Sequence, residues 1–270
     1  MPFNSDRRRF VSNLSGGLVT WAIFQAAARA ATSAEPRVDA GRLQSTLEEL
    51  STFGRPAGGS FADGVSRVAY SDADVAGRAY VIGLMKAAGL ETTIDPAGNI
   101  VGRRMGSDRK ARPILVGSHI DSVPNGGNFD GDVGSLSAIE VVRTLNEHKI
   151  TTRHPLEVTI WSNEEGGPFG SAAVAEPVPP ERLALIFNGI TMSDGLRRIG
   201  GDPDRITQAR RPAGSFHCYL ELHIEQGGTL ERAAIPIGVV DGIVSIDEYT
   251  VEVRGFANHA GTTLGALGNT

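Results

Sequence analysis

The sequence predicts an α/β domain on three observations: short apolar runs read as strands, amphipathic helical segments alternate with them, and acids and histidines gather where those runs end. Ligand sites in such folds lie beyond the carboxyl ends of the strands. From residue 38, VDAGRLQSTLEELSTFG sets Leu43, Leu47 and Leu50 at helical spacing, and RPAGGSFADGVSR follows as a Gly/Pro/Ser loop. DADVAGRAYVIGLMKAAGL predicts a second helix, with Asp72 or Asp74 as its cap and Gly89 as its stop. ETTIDPAGNIVGRRMG predicts two strands around a Pro-Ala-Gly-Asn turn. Strand PILVGSH, helix GSLSAIEVVRTLNEH and strand LEVTIWSNEEGG come next. The proline-rich stretch 168–216 predicts an irregular excursion packed near the site, with short helical pieces such as PERLALI. CYLELHIEQGG and IPIGVVDGIV read as two more strands, and the alternation from Glu248 to Val253 as another.

A chain of 270 residues can bury a substantial core as one large domain or two smaller ones. Its net charge of −5 is mild, and its basic residues, nearly all arginine, form no long block, so a nucleic-acid or other polyanion partner is not expected. A single cysteine, Cys218, excludes an intrachain disulfide and a Cys-rich zinc site and reads as a small packed hydrophobe. Residues 1–34 have the layout of an export signal. Arg7 and Arg8 lead a basic start, LSGGLVTWAIFQAAA is short and weakly apolar, and ARA ending at Ala30 is a small-x-small cleavage pattern. Paired arginines predict the twin-arginine route to a periplasmic or secreted location, and the segment is too short for a membrane span.

The chemistry concentrates in a few stretches. In GSHIDSVPNGGNFDGD, His119 and Asp121 follow a strand, and Asp130 and Asp132 follow a turn. Glu164 and Glu165 end the strand LEVTIWSN, while His223 and Glu225 close or interrupt YLELHIEQG. Zinc takes histidine nitrogen and carboxylate oxygen, and two metals can share a bridging carboxylate. Adjacent glutamates divide labour naturally, one binding metal and the other accepting a proton. Each feature alone has a plainer reading: a structural strand-end histidine, acids at a helix start, an Asp-Gly turn. Together, two histidines and several acids at the ends of three apolar runs favour a metal hydrolase. No Gly-x-Ser-x-Gly elbow, Walker loop or dinucleotide fingerprint competes with it, and Cys218 has no activating neighbour in sequence apart from His217.

At these residues the sequence resembles the di-zinc amidohydrolases of the aminoacylase/carboxypeptidase clan. Within that clan it resembles the branch of N-carbamoyl-L-amino-acid hydrolase, allantoate amidohydrolase and β-ureidopropionase. The resemblance rests on GSHIDSVPNGGNFDGDVGSLSAIEVVRTL, WSNEEGGPFGS, ELHIEQGGTLE and GVVDGIVSIDEYTVEVRGFANHAGTT. It implies a mixed-sheet metallopeptidase-type catalytic domain over 35–244 and the start of an inserted α+β lid and dimerisation domain over 245–270. It implies two divalent metal ions, zinc first, with manganese, cobalt or nickel as alternatives. His119 and His223 would then hold one ion, Glu165 the second, and Asp130 would bridge them. Glu164 would be the general base and Asp121 would orient His119. Gln226, Asn258 and His259 would contact a small substrate carrying a carboxylate, His259 reaching across a homodimer to stabilise the oxyanion. The chain departs from the family's pattern in GGPFGS after the glutamate pair, which keeps an aminoacylase or dipeptidase open. It also ends at LGALGNT, where the family continues through the rest of the lid to a late metal-binding histidine. A chain ending there is expected to hold at most one metal tightly, to form no family-type dimer and to hydrolyse N-carbamoyl amino acids negligibly. A non-catalytic metal-binding remnant is the alternative from another class.

Overall fold

The structure, a computed structural model, describes residues 35–243, 249–252, 254, 255 and 259. The expected export segment, Asn258 and part of the expected last strand lie outside the described residues. The chain divides into two compact units, Met1–Ile224 and Glu225–Thr270.

In the first unit, helices α1 (Ala40–Ser51) and α2 (Asp72–Ala87) precede strands β1 (Glu91–Ile94), β2 (Ile100–Arg104) and β3 (Ile114–His119). Helix α3 (Asp132–Glu147) carries the chain over to β4 (Leu156–Trp161). After the excursion comes β7 (Cys218–Leu220), and the sheet order is β1-β2-β4-β3-β7. β4 is buried at every position, as befits a central strand. β3 lies parallel to both β4 and β7, whereas β2 runs antiparallel to β4 and to β1. The sheet is therefore mixed, as the resemblance implies. Leu47 and Leu50 of α1, Val81 and Met85 of α2, and Leu136, Ile139 and Val142 of α3 pack on Ile100, Val158 and Ile160 as one core. Removing these branched and long aliphatic side chains from water is the main term holding the helices to the sheet.

The excursion is better ordered than its prolines suggest. It contains α4 (Phe169–Ala175), α5 (Pro180–Ala184), a small hairpin of β5 (Ile186–Phe187) and β6 (Ile190–Thr191), and α6 (Met192–Arg198). Phe169, Ala173, Met192, Leu196 and Ile199 gather with Tyr70 into a second apolar cluster. Short helices succeed here because each contributes one or two side chains to a shared interior.

Other expectations are corrected. Ser71, not Asp72 or Asp74, caps α2 by accepting the Asp74 N–H at 3.2 Å, while the Asp74 carboxylate accepts the Tyr70 N–H. The strand expected from Cys218 onward stops at Leu220, where its pairing with β3 ends. IPIGVVDGIV forms no strand over its described residues, and Ile237, Val239, Val240 and Ile243 are exposed. Apolar alternation makes a strand only where a partner supplies hydrogen bonds. In the second unit the chain instead makes a short helix, α7 (Thr229–Arg232), whose first N–H groups at Thr229 and Leu230 are accepted by the Glu225 carboxylate at 2.8 and 3.0 Å. Cys218 is exposed on its edge strand, not packed.

An ion pair is buried beside the core. Arg67, at 0% exposure, donates from Nε to the Ile120 carbonyl and from Nη1 to the carbonyls of Leu50 and Phe53. Its Nη2 pairs with the equally buried Asp132 carboxylate. A single guanidinium thus ties the end of α1 to the chain leaving β3 and to the first residue of α3.

Candidate metal centre

Because β3, β4 and β7 are parallel, the three chains leave the sheet at one edge, and their exits carry His119, the Glu164–Glu165 pair and His223. His119 is buried at 2% exposure. Its ring lies against Gly131, which has φ +66°, and a Cβ there would meet the imidazole at 2.5 Å, so only glycine fits before α3. Gly134, one turn on, plays the same part for the third exit: a Cβ would meet the Leu222 carbonyl at 2.1 Å.

Ligand atoms of His119, Asp130 and His223 lie within 4.8 Å of one another, a group of three suited to a metal ion among the described residues. His119 Nε2 is 3.9 Å from Asp130 Oδ1, and His223 Nε2 is 3.1 Å from the same oxygen. The chemistry of the donor set fits a cation. His119 Nδ1 is 3.0 Å from the Asp121 carbonyl and His223 Nδ1 is 2.9 Å from the Ile224 carbonyl. A carbonyl only accepts, so each Nδ1 carries a hydrogen, and each ring turns Nε2, the nitrogen left to bind a cation, towards the carboxylate. Two imidazole nitrogens and a carboxylate oxygen converging on one point is an arrangement that positive charge, from a proton or a metal ion, resolves. The same demand appears in His119 itself: burial opposes its charged form, yet the carboxylates of Asp121, Glu164 and Asp130 outweigh burial and hold its pKa above the usual histidine value.

The glutamate pair sits beside this group. Glu164 Oε2 lies 3.7 Å from His119 Nε2. Burial pushes the carboxyls of both Glu164 and Glu165 above the usual range, with His119 opposing. Asn163, at φ +46°, turns the chain, and the Asp121 carboxylate accepts the N–H groups of Glu164 and Glu165 at 3.2 and 3.1 Å. Asp121 touches His119 Nδ1 with its main-chain oxygen, while its carboxylate is 3.8 Å away and serves the glutamate turn.

Of the expected site residues, the structure brings together His119, Asp130 and His223, with Glu164 and Asp121 in contact with His119. Glu165 stands outside the three-residue group, joined to the site through Asp121. Asp132 belongs to Arg67, and Glu225 to the start of α7. Gln226, at φ +54°, and His259 are both exposed and lie in the second unit. Two contributors escaped the sequence reading, Arg67 and Glu221. Glu221 accepts hydrogen bonds from Ser118 and Tyr219, and its only signal is a two-residue spacing from His223, which in extended chain puts both on one side.

Residues 115–264 match peptidase family M20/M25/M40. The chain is 42% identical over 228 residues to an N-carbamoyl-L-amino acid amidohydrolase of Geobacillus stearothermophilus, covering 82% of this chain and 55% of that protein. It is 34% identical over 239 residues to a ureidoglycolate hydrolase of Arabidopsis thaliana, covering 84% and 49%. The crystal structure of a hydantoinase/carbamoylase family amidase from Burkholderia ambifaria superposes with a TM-score of 0.65 at 38% identity, covering 74% of this chain and 48% of that one. The chain spans about half the length of the relatives it matches.

Proposed function

This chain belongs to peptidase family M20/M25/M40, and from that premise we propose that it carries the metal-binding half of an amidohydrolase cleaving a linear C–N bond beside a carboxylate. Its substrates would be N-carbamoyl-L-amino acids or allantoate-like ureido compounds. The observation that carries this reading is the convergence of His119, Asp130 and His223 with Glu164 within 3.7 Å of the His119 ring. The names of the relatives support the substrate class, since carbamoyl amino acids and ureidoglycolate both pair a ureido group with a carboxylate.

His119, Asp130 and His223 would hold one divalent ion, and Glu165 would serve a second, with zinc favoured by the mixed nitrogen and carboxylate donors. Such an ion supplies a Lewis acid for the scissile carbonyl oxygen. Glu164 takes a proton from the attacking water as the new C–O bond forms and delivers it to the leaving nitrogen as the C–N bond breaks. Asp121 keeps that carboxylate in place by holding the N–H groups of its turn. Gln226, Asn258 and His259 contact the substrate, His259 from the neighbouring subunit of a homodimer.

The test is hydrolysis by a chain extended to the length of its relatives, offered N-carbamoyl-L-amino acids, allantoate, N-acetyl amino acids and dipeptides. The ureido compounds should be preferred, chelator should abolish turnover, and zinc, manganese, cobalt or nickel should restore it. Preference for N-acetyl amino acids or dipeptides would refute the substrate assignment. Export through the twin-arginine route is proposed on residues 1–34. Replacing Arg7 and Arg8 together by lysine should trap precursor in the cytoplasm, and undiminished export would reject the route. Among the described residues no helix is long and apolar enough to cross a membrane.

A further inference from the structure

Backbone pairing between β7 and β3 ends at Val116 and Leu220, three residues short of His223. Nothing in the sheet ladder therefore fixes where that histidine arrives. A side-chain lattice takes over at this point. Glu221 accepts from the Ser118 hydroxyl through Oε1 at 2.5 Å and from the Tyr219 hydroxyl through Oε2 at 2.6 Å. Tyr219 in turn accepts the Trp161 indole N–H at 2.8 Å. Ser118 is fully buried and immediately precedes His119, and Trp161 closes β4. Hydrogen bonds to a carboxylate are the strong kind, so this lattice anchors the chain before His223 to β3 directly and, through Tyr219, to β4 one strand further in. Gly134 completes the seat by letting the Leu222 carbonyl press onto α3.

We propose that Glu221 is a positioning residue for His223: by gripping Ser118 and Tyr219 it sets where the imidazole meets Asp130, and so sets the affinity of the centre for a divalent ion. The inference rests on the metal-binding reading given above and adds to it a residue outside the ligand set. Groups that orient metal ligands are worth roughly 10–100-fold in metal affinity. A negative charge near a cation could also act through its field alone, and the experiment separates the two.

Co²⁺ is titrated into the metal-free 270-residue chain by calorimetry, with its visible absorption recorded, for the unaltered chain and for Glu221→Ala, Tyr219→Phe, His223→Ala and the Glu221→Ala/His223→Ala pair. Glu221→Ala should weaken Co²⁺ binding roughly 10–100-fold and alter the spectrum. Tyr219→Phe, which leaves the charge unchanged, should also weaken it. In the His223→Ala background the Glu221 substitution should have almost no further effect, because a residue acting through His223 has nothing left to position. Equal losses in both backgrounds would mark a field effect and overturn the proposal, as would unchanged affinity in Glu221→Ala. Failure of the unaltered chain to bind Co²⁺ would overturn the metal-binding reading itself, and this inference with it.

Discussion

Glu164→Gln, in a chain extended to the length of its relatives, is expected to leave metal content unchanged and to lower turnover by roughly 10²–10⁴-fold, the usual worth of a general base. Glutamine keeps the shape of the side chain and the main-chain N–H that Asp121 accepts, so the turn should survive. What it lacks is the ability to take a proton from water and release it to nitrogen. Glu164 is suited to that exchange because burial lifts its carboxyl above the usual range. Glu165→Gln, if that residue serves a second ion, should instead lower metal content. Metal analysis and initial rates on the two variants check the division, and identical behaviour of the pair would undo it.

Arg67→Met is expected to cost about 3–5 kcal/mol of folding stability, measured by denaturant unfolding. It strands the buried Asp132 carboxylate without its partner and takes the donor from the carbonyls of Ile120, Leu50 and Phe53. The methylene stem of arginine is largely matched by methionine, so lost packing is a small part of the effect. Removing the orphaned charge as well, in Arg67→Met/Asp132→Leu, should recover part of the loss. A single substitution that costs under about 1 kcal/mol would show that the pair is solvated on a path the structure does not contain.

Much of this architecture is written in local pattern. The helical spacing of Leu43, Leu47 and Leu50 announced α1, and Leu47 and Leu50 are core residues. The runs before His119 and Glu164 announced β3 and β4, and so the edge at which the chemistry gathers. Two kinds of feature were hidden. The first is pairing: IPIGVVDGIV alternates like a strand but forms none over its described residues, because alternation records a preference for one face and not the presence of a neighbour. The second is contact across long separations. Arg67 reads as one more loop arginine, and only the folded chain brings it to Asp132, 65 residues away. Asp121 likewise sits beside a histidine in sequence, yet its carboxylate serves a turn 43 residues further on. The prolines of the excursion concealed a second apolar cluster for the same reason: its members are spread over short elements, each too small to show a period of its own.

The central claim is that His119, Asp130 and His223 are the donors of one divalent-metal centre, and zinc titration of the metal-free 270-residue chain tests it most directly. Calorimetry in buffers of different ionisation heat reads affinity and proton release together. The account predicts that the chain takes up a zinc ion with release of protons, since positive charge now comes from metal and no longer from His119, and that His119→Ala, Asp130→Asn and His223→Ala each weaken uptake by at least about tenfold. A chain that takes up no zinc, or three substitutions that leave its affinity unchanged, would contradict it.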